Sequence, residues 1–289
     1  MEFKDYTFSD NALKLIKGGY DVHIHPDPSH FPRCMDDVQL VQLADQLEMG
    51  GVMIKSHYDP TGARARLANK YYGAKHVKAY GGVALNWPVG GLNPYAAECN
   101  FKMGGSVVWM PTRDSHNSLQ YGNMNGDFFS RPGIRAFDEE GKLKKEIYEI
   151  LEICRKYNGI LATGHFYLDE IQALCDASTQ MGVKTVLTHP EWTRTTCPLE
   201  LQIELAKKGV IIEKLWENVY DKCVTAEYMA HTMKKIGPEH IMWGTDGAFG
   251  NFDPIKGITD FIDCMLEQGL SEEEIHIMLC ETPDRVFNG

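Results

Sequence analysis

Residues 160–189 read ILATGHFYLDEIQALCDASTQMGVKTVLTH. Two short apolar runs, Ile160 to His165 and Lys184 to His189, bracket an amphipathic stretch, Leu168 to Met181, that closes on glycine in TQMG. Runs this short, apolar without clean polar alternation, fit strands buried on both faces of a parallel sheet. Glycine just past a helical pattern is a stop signal. Strand, helix, strand is the repeating unit of a parallel α/β fold. Both runs end in a histidine.

The same rhythm extends in both directions. Further runs are Tyr20 to His25, Gly51 to His57, Val77 to Leu85, Ser106 to Met110, Val210 to Leu215 and His240 to Thr245, with helical patterns at Met35 to Met49 and Lys142 to Tyr157. Eight strands with no obvious edge are accommodated more economically by a closed (β/α)8 TIM barrel than by an open doubly wound sheet. A barrel of this kind uses 250 or so residues as one unit, so 1–289 is read as a single domain with an N-terminal extension. Thr112 to Gly141 breaks the rhythm with Asn, Ser, Gly and Asp and little helix period. It reads as a long loop after strand four, either a lid or a surface insertion, with a small hairpin in RPGIRAFDEEGKL. The N-terminal Phe3, Tyr6 and Phe8 are expected to pack over the bottom of the barrel.

Composition narrows the function classes. Lys and Arg total 29 against 40 Asp and Glu, a net charge of −11, which argues against nucleic acid as the main partner. The eight cysteines form no C-x-x-C pair, which disfavours a zinc ribbon or a thioredoxin-like motif and fits reduced thiols in the cytoplasm. No signal-peptide core and no run of about 18 apolar residues is present, so the expectation is a cytoplasmic protein without a membrane span. There is no G-x-S-x-G for a serine hydrolase, no P-loop, and no dinucleotide fingerprint. The partner expected is a small-molecule substrate; homo-oligomerisation is left open.

Asp21-Val22-His23-Ile24-His25 carries the strongest local signal. Alternation along a strand puts His23 and His25 on one side, where two imidazoles can converge on a divalent cation. H-x-H alone is weak, since two buried histidines bonded to carbonyls give the same string. The position of the other groups is more specific: His165 ends the fifth run, His189 the sixth, and Asp246 closes the eighth in IMWGTDG. All strand C-termini of a parallel barrel meet on one face. Four imidazoles and a carboxylate there read as a metal site. Asp21 is read as facing away from the pair with a structural role.

The order H-x-H at strand one, His at strands five and six and Asp at strand eight resembles the amidohydrolase superfamily, metal-dependent hydrolases on a distorted TIM barrel. VLTHPEW, HIMWGTDGAF and the closing IMLCETPDRVFNG are similar to segments of that superfamily. The resemblance spans essentially the whole chain. It implies an enzyme but not a substrate. Binuclear members carry a carboxylated Lys or a Glu at the end of strand four, whereas this strand reads SVVWMPT. One ion is therefore favoured over two. Lys55, carrying a carbamate or, as favoured, with its amine intact for an anionic substrate or an ion pair, and His57, read on the same face at the end of strand two, are candidates for substrate contact or a second metal, as is His116 in the loop after strand four.

The hydrolase reading has His23, His25 and His165 as ligands, and Asp246 on or near the metal as the proton carrier. His189 orients water, polarises the substrate oxygen or completes a second site. Zinc suits mixed imidazole and carboxylate ligands best, with manganese, iron or nickel as alternatives. Two other readings compete: a non-oxidative decarboxylase or hydratase acting on a small carboxylated substrate, and a barrel that binds metal without catalysis. Glu213-Lys214 reads as a strand-end ion pair. Arg113, Arg131, Arg135 and Arg194 are loop residues able to hold a carboxylate or phosphate, and Trp87, Trp109 and Trp192 are candidate pocket walls.

Overall fold

The computed structural model describes residues 3–72, 74–124, 127–128 and 130–289. Its strands are β1 Tyr20–Ile24, β2 Gly51–Ile54, β3 Lys78–Ala84, β4 Val107–Trp109, β5 Ile160–Ala162, β6 Lys184–Leu187, β7 Ile211–Leu215 and β8 Ile241–Gly244. They form one eight-stranded sheet in sequence order. A parallel bridge from Ile24 to Gly247 brings the exit of β8 back to β1. Helices such as Asp37–Gln46, Lys145–Lys156, Leu168–Gln180 and Pro254–Glu267 separate the strands, giving the expected (β/α)8 barrel. Every residue of β1, β2, β4, β5, β7 and β8 is buried, which accounts for apolar runs without alternation.

Local chemistry sets the ends of these elements. Asp36 caps Asp37–Gln46, its carboxylate accepting from Gln39 N while the Gln39 side chain accepts from Asp36 N. Gly182, with φ +70°, supplies the left-handed residue just past Leu168–Gln180. In the core, Trp243 of β8 stacks on Phe261 of Pro254–Glu267 with ring centroids 4.4 Å apart.

All eight runs became strands, but five of them stop short of the polar residue that closed the run. β1 ends at Ile24, β2 at Ile54, β5 at Ala162, β6 at Leu187 and β8 at Gly244. The chain leaves extended geometry there: Gly164 has φ +62°, His189 +26° and Asp246 +56°. Strand alternation therefore does not reach Lys55 and His57, and the shared face read for them is not a strand face. Asp21 needs the opposite correction. It lies two residues before His23 on β1 and so has the same parity, not the opposite one. Its carboxylate accepts from Thr245 N at 3.0 Å, Thr245 Oγ1 at 2.6 Å and His23 N at 3.1 Å, a structural role tying β1 to β8.

Contacts gather into two compact units. One comprises Met1–Lys55, Arg64–Tyr80 and Glu213–Gly289; the other comprises Ser56–Ala63 and Gly81–Ile212. In the first, Tyr6 donates to Asp253 Oδ2 at 2.6 Å and stacks on Phe8. Asp253 caps the helix that follows β8, so this aromatic group packs on the C-terminal side of β8, not at the barrel bottom.

In the second unit, Thr112 to Gly141 contains more structure than its composition suggested. His116–Gln120 is a short helix capped by Ser115, whose Oγ accepts from Ser118 N. The expected hairpin forms through a Phe137–Leu143 bridge and Asp138 N donating to Lys142 O. Ion pairs hold the loop: Arg131 with Asp114, Arg113 with Asp127 at 3.2 Å, and Arg135 with Glu170 at 2.7 Å. Asn125, Gly126 and Phe129 of this loop lie outside the described residues. None of the eight cysteines is joined in a disulfide. Among the described residues no helix is long and apolar enough to cross a membrane.

Candidate metal centre

The first unit brings together His23, His25 and Asp246. Asp246 N donates to His23 O at 2.8 Å and His25 N to Gly247 O at 3.0 Å, so main-chain pairing sets the two histidines beside the acid. Asp tolerates the left-handed backbone that this position requires better than most residues. Asp246 Oδ1 lies 3.1 Å from His25 Nε2 and 3.4 Å from His23 Nε2. One donor atom from each residue falls within 4.8 Å of the others. Both imidazoles are buried, and Asp246 is the partly open member.

Two neighbours complete the arrangement. Glu213 Oε1 lies 3.1 Å from His23 Nδ1, and Lys55 Nζ lies 2.7 Å from His23 Nε2. A carboxylate beside Nδ1 accepts the N–H of that nitrogen and leaves Nε2 with its lone pair, the arrangement common to metal-bound histidines. The Lys55 ammonium faces that lone pair. A metal would need the same electrons, so Lys55 and a cation at His23 Nε2 exclude each other. Two imidazole nitrogens, one carboxylate and a carboxylate behind the first imidazole fit a divalent ion such as zinc.

The electrostatics agree with this fit. Burial, opposed by the hydrogen bond and charge of Asp246 and helped by Lys55 and Arg33, holds the pKa of His25 well below the usual histidine value, which favours the neutral ring. Neutral imidazole is the ligating form. Burial works to raise the pKa of Asp246, but His23, the hydrogen bond from His25 and Lys55 outweigh it and hold the carboxyl well below its ordinary range. Glu217 shows the reverse: burial and the charges of Asp246 and Asp221 push its pKa well up, against Lys55. Glu217 N donates to Thr245 O, one residue before Asp246. Asp21 is pushed up to about 7 by burial, with its hydrogen bonds from Thr245 and His23 opposing.

The second unit pairs His165 with His189, whose Nε2 atoms are 3.1 Å apart. Gly164 precedes His165 with φ +62°, and a Cβ there would meet Met110 O at 2.3 Å, so the turn that presents His165 requires glycine. His165 Nδ1 contacts Ser118 Oγ at 3.0 Å and His189 Nδ1 contacts Thr195 Oγ1 at 2.9 Å. The Thr195 hydroxyl donates its single proton to His189 O at 2.8 Å. It must therefore accept from His189 Nδ1, which leaves His189 Nε2 as a lone pair. Trp192 packs against both rings, at 4.9 and 5.2 Å. His57 Nδ1 meets Thr112 Oγ1 at 2.9 Å, and its ring lies 6.3 Å from that of His165. His116 Nδ1 meets Tyr167 Oη at 2.9 Å.

Sequence reasoning missed Glu213 as a partner of His23, and Ser118 and Thr195 as partners of His165 and His189. Glu213 carried a usable signal: an acid inside an apolar strand buried on both faces needs a partner. The two hydroxyls carried none. Trp109 is buried, while Trp87 is exposed and donates from Nε1 to Pro132 O at 2.7 Å.

The profile of a family of unknown function, DUF6282, matches residues 18–213. The chain belongs to the DUF6282 family. No curated protein matches this DUF6282 chain. Among solved structures, it is similar to an amidohydrolase from Pseudomonas aeruginosa, at 11% identity and TM-score 0.65 over 96% of this chain and 97% of that one. A beta-aspartyl dipeptidase from Fervidobacterium islandicum matches at 14% identity and TM-score 0.63, over 94% of this chain and 73% of its own. A putative 2-pyrone-4,6-dicarboxylic acid hydrolase from Pseudomonas putida matches at 12% identity and TM-score 0.59, over 93% and 97%. At these identities the likeness is one of fold.

Proposed function

We propose that this protein is a metal-dependent hydrolase acting on a small-molecule amide, ester, lactone or phosphoester. The observation that carries the reading is the convergence of His23 Nε2, His25 Nε2 and the Asp246 carboxylate, with Glu213 behind His23. The fold shared with solved amidohydrolases supports it.

His23, His25 and Asp246 would hold the ion. Zinc is the metal this donor set favours, as a single ion, ahead of manganese, iron or nickel. When bound, a divalent cation supplies a Lewis acid that brings the pKa of a water from 15.7 to about 7. Asp246 is ionised at neutral pH and takes the proton of the attacking water, then returns it to the leaving group. Such transfer contributes about 10² to 10⁴ in rate. Lys55, displaced from His23 Nε2 by the ion, would hold an anionic part of the substrate.

The test is metal content and turnover measured together. Wild-type protein should bind about one divalent ion per chain and hydrolyse at least one member of an ester, lactone, amide and phosphoester panel. Replacing both His23 and His25 with alanine should remove metal and activity. Unchanged metal and activity in that variant would overturn the assignment. Metal binding with CO2 release and no hydrolysis would move the protein to the decarboxylase class.

A further inference from the structure

Outside the groups used above, the second unit contains a cavity of about 200 Å³, bounded by Asn117, Tyr121, Tyr167, Arg194 and Thr196 among others, with no carboxylate in its lining. Arg194 differs from the other three loop arginines. Arg113, Arg131 and Arg135 are each ion-paired. Among the described residues no carboxylate pairs with Arg194: its Nη1 donates to Ser118 O at 2.9 Å and Gly122 O at 3.4 Å, and Nε and Nη2 donate to no protein group. The guanidinium lies near two aromatic rings, 5.4 Å from Tyr121 and 5.3 Å from Trp192.

We propose that this cavity binds a free small organic carboxylate, taken through the open donors of the Arg194 guanidinium. The reading goes beyond the hydrolase proposal and does not depend on it. A half-buried guanidinium whose direct acceptors are carbonyls, with the charge of Asp127 felt only from beyond ion-pair distance, has surrendered hydration without gaining a direct ionic partner. Burial accordingly lowers the pKa of Arg194. The planar fork matches a carboxylate bidentately. Tyr121, Tyr167 and Phe166 supply aromatic surface for a flat organic body.

The cavity also lies behind the histidine pair. Thr195, in its lining, holds His189 Nδ1, and Ser118, whose carbonyl accepts from Arg194, holds His165 Nδ1. Occupancy is thereby linked to the hydroxyls that orient both imidazoles.

Benzoate is the probe, titrated calorimetrically into wild type, R194Q, R194K and H25A. Wild type should bind saturably. R194Q should bind about 10- to 100-fold more weakly, the range for losing a hydrogen bond to a charged group. R194K keeps the charge but loses the fork and should fall between them. H25A should bind as wild type does, separating this site from the metal centre. The proposal is overturned by absent saturable binding in wild type, by equal affinity in R194Q, or by loss of binding in H25A. Should R194Q fail to fold by circular dichroism, wild-type affinity in R194K overturns it instead.

Discussion

At the scale of single residues, His23 is the centre of gravity. Its Nδ1 is committed to Glu213 and its Nε2 faces Lys55 and Asp246 at 2.7 and 3.4 Å. Removing the carboxylate behind a ligating imidazole weakens metal binding because the ring loses both its fixed tautomer and part of its basicity. Glu213→Gln is therefore expected to lower metal affinity about 10- to 100-fold, measured by chelator competition; unchanged affinity would mean that Glu213 does not support a ligand. Lys55 and the ion compete for one lone pair. Lys55→Met should accordingly bind metal at least as tightly as wild type while losing affinity for anionic substrates, read as a rise in KM. Weaker metal binding in that variant would instead make Lys55, or a carbamate on it, a ligand.

At the scale of elements, the turns after the strands present the chemistry. Gly164→Ala forces a Cβ into Met110 O in a left-handed conformation, which by itself costs roughly 1–2 kcal/mol. A lowered Tm is expected, with His165 displaced from Ser118 in a crystal structure of the variant; an unaltered Tm would show that the turn relaxes freely. The loop Thr112 to Gly141 is held in part by Asp127. Burial works to raise the pKa of Asp127, but Met124 N–H, Tyr58 Oη, Arg113 and Arg131 prevail and bring it below the ordinary value of 3.8. A depressed folded pKa stabilises the loop fully above the unfolded value, and that contribution disappears as pH falls through the folded one. Asp127→Asn removes it at every pH. Limited proteolysis at pH 7 should cut this loop faster in D127N than in wild type, and equal cleavage would mean that the carboxylate does not hold it.

At the scale of the whole molecule, a ligand that binds only the folded chain raises its stability by RT ln(1 + [L]/Kd), about 2.7 kcal/mol at a hundredfold excess over Kd. For a chain of this size that corresponds to a Tm rise of roughly 4 °C. Adding zinc to chelator-treated protein should produce it, and His25→Ala should abolish it. A melting curve indifferent to zinc would count against a structured metal centre.

Much of this was legible in one dimension. Eight apolar runs announced eight strands because a parallel sheet buries both faces, and the runs ending in His165, His189 and Asp246 put polar groups at strand exits because those exits are where such barrels open. Hydrogen-bond partners were not legible. Glu213 and His23 are 190 positions apart, and Asp21 and Thr245 are 224 apart. Periodicity speaks only for neighbours along the chain, and it fails once a strand ends, as it did for Lys55 and His57. The sequence by itself determined the α/β alternation, the strand count and the residue types at the strand exits, because these follow from local burial and backbone preference. Only the tertiary structure decided which nitrogen of His23 faces Glu213, that Lys55 reaches the other, and that Arg194 pairs with no carboxylate among the described residues, because each depends on distances between segments that only the folded chain brings together.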